Sequence, residues 1–372
     1  MKGESGLEKF AFIVHPLAAK DFSRKFSFTK NWPDTWVEGI MKYIPPIKVS
    51  HITGIQSPHA QGEGWFIGCP LSSRQMVEMP EEFVIKKIIK AGKVAEKLGA
   101  KIVGLGAFTS IVGDAGITIA KNLNIPVTTG NSYTVATALE GTRQAAKLMG
   151  IDLERANVVV LGATGSIGSA CAQILAREVR YLTLAARNEA KLEKLAEQIL
   201  RKTGLAVRVT ANTKSALKAA DIIIAVTSAV DSIIEPEDLK SGAIVCDVAR
   251  PRNVSRRVAE MRDDILVIEG GVVEVPGDVN FGLHFGFPEK TAYACMAETM
   301  ILALEQRYEN FTLGRDLTVK QVETIDQLAK KHGFKLAGFR SFERALSPQE
   351  IQTIKNNSKT KGELDYKRKV IS

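Results

Sequence analysis

Four cysteines could supply a nucleophile, and their positions in the sequence separate them. Cys295 falls in the first turn or two of a helix predicted to begin near Pro288–Thr291, and a helix N-terminus favours the thiolate form. Cys171 lies inside an apolar helix and Cys246 inside an apolar strand, which is typical of core residues. Cys69 lies where exposure is possible, but no helix follows to lower its pKa. The residues alone leave Cys295 open to two interpretations, a nucleophile or a packed side chain.

Other polar residues near Cys295 in sequence, or at strand ends, could assist it. Glu298 follows one helical turn later, where a carboxylate could relay a proton or simply be solvated on the surface. His284 precedes Cys295 in a loop rich in glycine and proline, and it is the one histidine whose position favours an acid or base. The loops Phe108–Ser110 and Gly130–Ser132 follow predicted strands and are candidate donors to an oxyanion. The spacing of the five histidines predicts no metal site.

The stretch Asn157–Asn188 has the pattern of a dinucleotide-binding turn. A short apolar strand leads into Gly162, Gly165 and Gly168, an alanine-rich helix follows, and a second apolar strand ends near Ala186. Glycines at this spacing let the backbone approach a pyrophosphate held at a helix N-terminus. The candidate cofactor-binding residues of this turn and of the later strand ends are Gly162, Thr164, Gly165, Ser166, Ile167, Gly168, Arg187, Asn188, Thr227, Val248 and Gly271.

The end of the second strand predicts which dinucleotide binds. Ala186, Arg187 and Asn188 stand where an NAD-dependent enzyme commonly has an acidic residue that accepts from the ribose hydroxyls. A guanidinium can instead clamp a 2′-phosphate, and Lys191 could add a second positive charge. The sequence therefore predicts NADPH, with the alternative that Arg187 merely faces solvent.

The elements that must position these residues follow an α/β pattern. The strands predicted after residue 156 are Val158–Leu161, Tyr181–Ala186, Ala206–Val209, Asp221–Val226, Ala243–Val248 and Ile265–Ile268. Strands that alternate with helices favour a doubly wound parallel Rossmann sheet. The predicted domains are an N-terminal α/β substrate domain (1–150), an NADP-binding Rossmann domain (151–288), a C-terminal helical segment carrying the nucleophile (289–345) and a frayed basic tail (346–372).

Composition limits the class of protein and its partners. With 45% hydrophobic residues the chain can bury a sizeable core, and the scattered cysteines predict neither disulfides nor a zinc knuckle. The N-terminus does not resemble a secretory signal, and the uncharged run Ala156–Ala176 is broken by glycines, so we expect a cytoplasmic protein without an integral membrane span. A net charge of +9 could serve nucleic acid, an acidic protein or an anionic membrane, or be an ordinary basic surface. No nucleic-acid partner is predicted, and the oligomeric state is left open.

Seven motifs together resemble one known family, the long-chain acyl-[acyl-carrier-protein] reductases of cyanobacteria. The motifs occur in the family's order and spacing from about Phe10 to Phe334. They are LGAFTSI at Leu105–Ile111, TTGNSYT at Thr128–Thr134, VLGATGSIGSA at Val160–Ala170, LAARN at Leu184–Asn188, EGGVVE at Glu269–Glu274, YACMAE at Tyr293–Glu298 and HGF at His332–Phe334. The basic tail and the linker Val275–Glu289 differ from the family pattern.

The resemblance implies an NADPH-dependent reductase that converts a long-chain acyl thioester to a fatty aldehyde through an acyl-cysteine, with Cys295 as the family's nucleophile. It implies a substrate domain, a Rossmann domain and a helical C-terminal part, related distantly to shikimate dehydrogenase and glutamyl-tRNA reductase. The acyl donor stays open among acyl-carrier protein, acyl-CoA and another thioester. A basic surface would suit an acidic carrier protein.

Two other functions remain as alternatives. A reductase of the shikimate dehydrogenase type would reduce a small carbonyl substrate without a covalent step, using a Lys and Asp pair in the substrate domain, and no such pair stands out in the sequence. A non-catalytic NADPH-binding regulator would use the basic tail to engage a partner. Loss of aldehyde formation on replacing Cys295 separates the first alternative, and oxidation of NADPH by acyl thioesters separates the second.

Overall fold

The computed structural model describes residues 6–229, 232–249, 251–283 and 288–371, with side chains at all of these except 23–25, 27 and 362–371. The chain divides into two compact units. Unit 1 comprises Met1–Tyr133 and Val273–Lys335, and unit 2 comprises Thr134–Val272 and Leu336–Ser372. The sequence placed the first boundary at 150 and assigned residues 289–345 to a segment of their own. In the structure, the segment that carries Cys295 belongs to the same unit as the N-terminal sheet.

Within the described ranges, strands and helices are numbered separately in chain order. The strands are β1 Glu8–Val14, β2 Ile47–Gln56, β3 Gln61–Gly68, β4 Val103–Leu105, β5 Val127–Thr128, β6 Asn157–Leu161, β7 Tyr181–Ala185, β8 Arg208–Thr210, β9 Ile222–Ala225, β10 Ile244–Asp247, β11 Leu266–Glu269, β12 Val272–Glu274, β13 Gly277–Asn280, β14 Thr291–Tyr293, β15 Lys335–Leu336, β16 Arg340–Ser341 and β17 Arg344–Ala345. The α-helices are α1 Ala19–Lys25, α2 Asp34–Met41, α3 Ser73–Glu78, α4 Glu81–Lys97, α5 Ile117–Lys121, α6 Asn131–Met149, α7 Ser166–Leu175, α8 Glu189–Thr203, α9 Thr213–Ala219, α10 Arg256–Met261, α11 Ala294–Leu304, α12 Val319–His332 and α13 Pro348–Ile371.

Unit 1 is built on a six-stranded sheet in the order β13-β2-β3-β1-β4-β5. Strands β2 and β3 form an antiparallel hairpin, whereas β1 runs parallel to β3 and β4, and β4 runs parallel to β5. The carboxyl ends of four parallel strands therefore lie along one edge of the sheet. Ligands of open α/β sheets collect at such an edge.

Helix α4 shows how the sequence covers this sheet. Its residues Val84, Ile88, Ala91 and Ala95 recur at helical spacing, are fully buried, and pack in one cluster with sheet residues such as Leu105. The helix begins directly after Pro80, and Glu81 and Glu82 in its first turn favour a helix N-terminus. Burial of this apolar face holds the helix against the parallel strands whose carboxyl ends lie along one edge of the sheet.

Unit 2 is a doubly wound sheet, as predicted. Its strand order is β11-β10-β9-β6-β7-β8, and the neighbouring strands are parallel. The order reverses between β6 and β9, and this switch point is where dinucleotides bind in such sheets. Strands β6, β9 and β10 are almost entirely buried, which explains why they read as continuous apolar runs.

The basic tail, predicted to be frayed, forms helix α13 on unit 2. Lys355 Nζ donates to Leu148 O at 2.8 Å, and Lys361 Nζ lies 2.5 Å from Asp263 Oδ1 and 3.1 Å from Asp264 Oδ1. Asp264 is fully buried, and although burial itself raises its pKa, hydrogen bonds from Arg262 and Lys361, among others, hold that pKa well below its usual range. The tail is thus bonded to unit 2 at least as far as Lys361. Across the described residues, the helices lack the length and apolar character that a membrane crossing requires.

Candidate active site

The dinucleotide turn of unit 2 has the local structure that the sequence predicts. Strand β6 ends at Leu161, Gly162 takes φ +89°, and α7 begins at Ser166. A methyl group on Gly168 would lie 2.4 Å from the carbonyl oxygen of Gly162, and one on Gly162 would lie 2.9 Å from Val226 O. Both glycines are therefore required by the close packing of the helix and the strands around the turn.

The first turn of α7 offers the chemistry that a pyrophosphate needs. Within the described part of the chain, Ser166 Oγ is buried and has no hydrogen-bond partner, and Gly165 at the N-cap has no side chain to cover the helix end. Backbone N–H groups of a first turn lack partners inside the helix and favour an anion. Thr164 and Ile167 are partly buried on the same turn. The turn therefore fits a dinucleotide.

The other residues predicted to bind the cofactor follow later strands and lie at the same edge of the sheet. Thr227 follows β9, and its Cγ2 would be 3.1 Å from a methyl group on Gly162. Val248 follows β10, and Gly271 follows β11 with φ +84°. Asn253, which the sequence did not predict, is fully buried and accepts from Thr227 N at 3.0 Å through Oδ1. The structure brings Thr227 to the glycine turn, and Asn253 supports it.

The two residues after β7 have different roles. Arg187 is exposed at the end of the strand, where a guanidinium can meet an anion from solvent. Asn188 instead caps α8, because its side-chain oxygen accepts from Lys191 N at 3.0 Å. Asparagine followed by Glu189 at a helix start is a capping signal that could have been recognised in the sequence.

Cys295 is the second residue of α11, in unit 1. The sequence predicts a helix that begins near Pro288–Thr291, but Thr291–Tyr293 form strand β14, and the helix begins at Ala294. Strand β14 pairs with β12 in a three-stranded sheet, and Val275 N donates to Lys290 O at 2.8 Å just before β14. The later start places Cys295, which is partly exposed, at the helix N-terminus itself. That position favours a thiolate.

Gly130 packs directly against the backbone of Cys295. A methyl group on Gly130 would lie 2.3 Å from Cys295 Cα and 2.4 Å from its Cβ. Gly130 also has φ +74°, which L side chains rarely adopt. The turn after β5 therefore approaches α11 more closely than any other residue type would allow, and the strand-end loop predicted from sequence is in contact with the predicted nucleophile.

Glu298 is fully buried, which excludes the solvated surface position that was one of the two interpretations of this residue. Its Oε1 accepts from Thr128 Oγ1 at 2.5 Å and Thr312 Oγ1 at 2.8 Å. Its Oε2 accepts from Ser132 Oγ at 2.6 Å and Tyr133 N at 2.9 Å. Four donors from three separate segments of unit 1 thus converge on one carboxylate.

The loop after β4 is fixed internally. Thr109 Oγ1 donates to Gly106 O at 2.8 Å and Ser110 Oγ donates to Ala107 O at 2.7 Å, so these hydroxyls are engaged within the loop. His15, which follows β1, accepts from Phe108 N at 3.2 Å through Nε2. Burial lowers the pKa of His15 to about 4. A neutral histidine therefore holds this loop, and its position at the end of a parallel strand was the available sequence signal.

The remaining cysteines are core residues. Cys69, which the sequence left as possibly exposed, is fully buried, and burial raises its pKa to about 12. Burial also raises the pKa of Cys171, and Cys246 is fully buried in β10, as predicted. Reactive cysteines need thiolate character and access, and Cys295 is the partly exposed one of the four. His284, the predicted acid or base, lies outside the described residues, and no cluster of potential metal ligands occurs among the described ones.

Comparisons with known proteins agree with this division. A family model described as shikimate / quinate 5-dehydrogenase matches residues 143–268, which lie in unit 2. The long-chain acyl-[acyl-carrier-protein] reductase of Synechococcus elongatus is 30% identical over 331 residues, which cover 85% of this chain and 94% of that protein. The chain belongs to the long-chain acyl-[acyl-carrier-protein] reductase family.

Two further likenesses differ in extent from the reductase. The aminotransferase PigE of a Serratia species is 31% identical over 365 residues, which cover 93% of this chain but 42% of PigE, so the chain spans less than half of that relative. A solved quinate dehydrogenase from Corynebacterium glutamicum, in complex with NAD, has a TM-score of 0.34 at 15% identity and covers 66% of this chain and 81% of that one.

As a member of the reductase family, the chain is an oxidoreductase, and its cofactor is a nicotinamide dinucleotide, NADPH. The glycine turn of unit 2 is the part of the fold that fits this group, through the uncovered first turn of α7 and the buried Ser166 Oγ. The structure also adds residues that sequence reasoning missed. Thr312 could not be associated with the predicted sites without knowing which strand ends and loops meet, whereas the position of His15 after a strand was a signal that could have been used.

Proposed function

We propose that this chain reduces a long-chain acyl thioester to a fatty aldehyde through an acyl-cysteine formed on Cys295. The main support for the proposal is the position of Cys295. It is partly exposed at the N-terminus of α11 and packs against Gly130, which follows strand β5 of the unit 1 sheet. The alignment with a named acyl thioester reductase over 94% of that relative's length supports the substrate class.

The covalent step uses the helix N-terminus. The Cys295 thiolate attacks the carbonyl carbon of the thioester, a new carbon–sulfur bond forms to Sγ, the bond to the carrier sulfur breaks, and the carrier thiolate leaves and takes a proton from water. Bound NADPH supplies the hydride that, together with a proton, converts the acyl group to an aldehyde and restores the thiol. The chain's task in both halves is to keep Sγ accessible and favour its negative charge.

The structure narrows the choice of oxyanion donors. The side chain of Ser132 donates to Glu298, and the hydroxyls of Thr109 and Ser110 donate to carbonyls of their own loop. These hydroxyls, candidates from the sequence, are therefore already engaged. The first turn of a helix presents backbone N–H groups that suit a developing negative charge, and Cys295 lies in such a turn of α11.

The proposed partner is an acyl-carrier protein, with acyl-CoA as the alternative donor. Carrier proteins are acidic, and a chain with net charge +9 offers them a favourable field. The name of the Synechococcus relative includes this carrier, which supports the assignment. The aminotransferase activity named for PigE is not transferred, because the chain spans 42% of that protein.

We also propose that the glycine turn and the strand ends of unit 2 bind the cofactor, and that Arg187 selects NADPH over NADH. Arg187 is exposed directly after β7, and no acidic residue occupies positions 186–188. A guanidinium there pairs with a 2′-phosphate and gains nothing from a ribose hydroxyl. Asn188 contributes by starting helix α8 through its cap, which fixes the backbone that follows Arg187.

Intact-protein mass spectrometry without NADPH tests the covalent step. Incubation with palmitoyl-CoA or palmitoyl-acyl-carrier protein is expected to add one acyl group to the wild-type chain. Cys69→Ala, which lacks a buried thiol, is expected to form the adduct as the wild-type chain does. Cys295→Ala is expected to form none. An adduct that persists in Cys295→Ala, or no adduct with either donor, would contradict the proposal. Aldehyde formation by an unacylated enzyme would favour the non-covalent reductase.

A further inference from the structure

We propose that Glu298 is a positioning residue, which holds the first turn of α11 so that Cys295 stays against Gly130 in its reactive place. The inference rests on the proposed function of Cys295. Glu298 follows Cys295 by three residues, so both project from the same side of the helix one turn apart. Whatever fixes the carboxylate also fixes the turn that bears the sulfur.

The carboxylate joins α11 to three other segments of unit 1. Thr128 lies at the end of β5, Ser132 and Tyr133 lie in the first turn of α6, and Thr312 lies in the chain that follows α11. Thr128, Ser132 and Tyr133 lie on either side of Gly130, the glycine that touches Cys295. The same short segment therefore contacts the nucleophile through Gly130 and binds the helix through Glu298.

The hydrogen-bond partners require an acceptor at this position. The N–H of Tyr133 can only donate, and it is the third N–H of α6, one of those that a helix leaves unsatisfied. Anions are also favoured at a helix N-terminus. In the described ranges, no lysine, arginine or histidine forms an ion pair with Glu298. The carboxylate is thus held by hydroxyl and amide dipoles, which is a specific geometry and not a diffuse attraction.

Position, not proton transfer, is what this arrangement supplies. Glu298 is fully buried and both oxygens are occupied by protein donors, so neither oxygen faces a substrate. Small displacements of a reacting atom lower rates by about 100-fold per ångström, which makes a rigid first turn valuable.

Two substitutions separate positioning from proton relay. In Glu298→Gln the amide oxygen can accept from Tyr133 N, and the amide nitrogen can donate to the hydroxyls of Thr128 and Thr312, which rotate to accept. Glu298→Ala leaves the amide and the three hydroxyls without their partner. A positioning role therefore predicts that Gln rescues what Ala loses, whereas a relay predicts that both variants fail.

The readout is the second-order rate of Cys295 alkylation by iodoacetamide, followed by intact mass between pH 6 and 9. Alkylation needs the thiolate, which the helix N-terminus stabilises only while the first turn of α11 is held in place. We expect Glu298→Ala to slow alkylation by about 10- to 30-fold, Glu298→Gln to stay within about threefold of wild type, and the Kd for NADPH to be unchanged in both. Glu298→Asp keeps the charge but shortens the side chain, and it is expected to lie between Ala and Gln. This variant keeps the proposal testable if Glu298→Ala does not fold.

Glu305→Gln is the matched control on the same helix. Glu305 caps the far end of α11 and accepts from Lys331 Nζ at 2.7 Å and pairs with His332 Nε2 at 2.8 Å. Its substitution should lower the melting temperature without changing alkylation of Cys295. Equal slowing in Glu305→Gln, wild-type alkylation in Glu298→Ala, or failure of Glu298→Gln would overturn the proposal. Alkylation needs no thioester, so the expected pattern without any acyl adduct would remove the proposed function and leave the positioning role.

Discussion

The cofactor turn of unit 2 and the Cys295 site of unit 1 are assembled in opposite ways. The turn is formed by one continuous stretch, Asn157–Asn188, in which strand, glycines, helix and strand follow one another. The Cys295 site joins residues from position 128 to position 312, brought together by tertiary packing. A local motif carries its geometry in its own residue spacing, whereas a site built across segments depends on contacts that no spacing reveals.

The two sites also differ in what the glycines do. Gly168 lets the helix approach the carbonyl of Gly162 within the same turn, so its requirement is internal to the motif, whereas Gly162 packs against Val226 after the neighbouring strand β9. Gly130 allows the backbone of Cys295, a residue far along the chain, to approach closely, and the hydroxyl of nearby Ser132 donates to Glu298. Apart from any loss of stability, substitutions in the cofactor turn should therefore affect cofactor binding and not the reactivity of Cys295, and substitutions around Gly130 should do the reverse.

Gly130→Ala is expected to have the largest effect. Its methyl group would collide with the Cys295 backbone, which cannot move aside as a flexible side chain can. We expect acylation of Cys295 to fall by at least about 100-fold and stability to fall by about 2–4 kcal/mol from overpacking and the positive φ together. NADPH affinity, measured by fluorescence titration, should not change.

Gly99→Ala separates strain from collision in that experiment. Gly99 has φ +85° but no heavy atom lies within 4 Å of the place a methyl group would take. It should lose only about 1–2 kcal/mol of stability, with normal acylation. Equal loss of acylation in both variants would mean that Gly130 matters through general stability and not through its contact with Cys295.

The contrast explains how much could be predicted from the sequence. The parallel sheet of unit 2 and its glycine turn could be predicted, because buried strands are continuous apolar runs and the spacing of the glycines is typical of the turn. The true start of α11 could not, because β14 is held extended by its pairing with β12, a strand that precedes the linker. The burial of Glu298 could not, because an isolated carboxylate is usually solvated and its four partners are distant in sequence.

Gly168→Ala and Gly165→Ala test whether the cofactor turn is independent. The Gly168 methyl group would lie 2.4 Å from backbone, so we expect a loss of stability of about 1–3 kcal/mol and an NADPH affinity lower by about 10- to 100-fold. A methyl group on Gly165 meets nothing closer than 3.4 Å, and φ there is −80°. Gly165→Ala should therefore fold normally and lose affinity only through the bound pyrophosphate. Slower iodoacetamide labelling of Cys295 in either variant would break the separation of the two sites.

Arg187→Ala is expected to act on one cofactor only. Loss of a charge-assisted contact at an exposed position should weaken NADPH binding by about tenfold and leave NADH unchanged. Arg208→Ala removes another exposed arginine, on β8 of the same sheet, and should leave both affinities unchanged. If NADPH binds Arg187→Ala as tightly as wild type, the side chain faces solvent, and the selection of NADPH lies elsewhere.

The smallest predicted effect is a loss of folding stability in acid. It should arise in unit 1 and not in the cofactor turn, because the cofactor turn contains no histidine. The ring of His15 donates through Nδ1 to Pro16 O and accepts from Phe108 N through Nε2, so a second proton would place two donors face to face. Because burial lowers the pKa of His15 from 6.5 to about 4, the unfolded chain binds more protons than the folded chain between those values. Stability should therefore fall as pH drops through that window.

His15→Gln, whose oxygen can accept from Phe108 N, should lose about 2–4 °C less in melting temperature over the same range. His51→Gln, at an exposed position on β2, should follow the wild-type curve. An unchanged slope in His15→Gln would show that other groups carry the acid sensitivity, and a shift in NADPH affinity would show that the two sites are coupled.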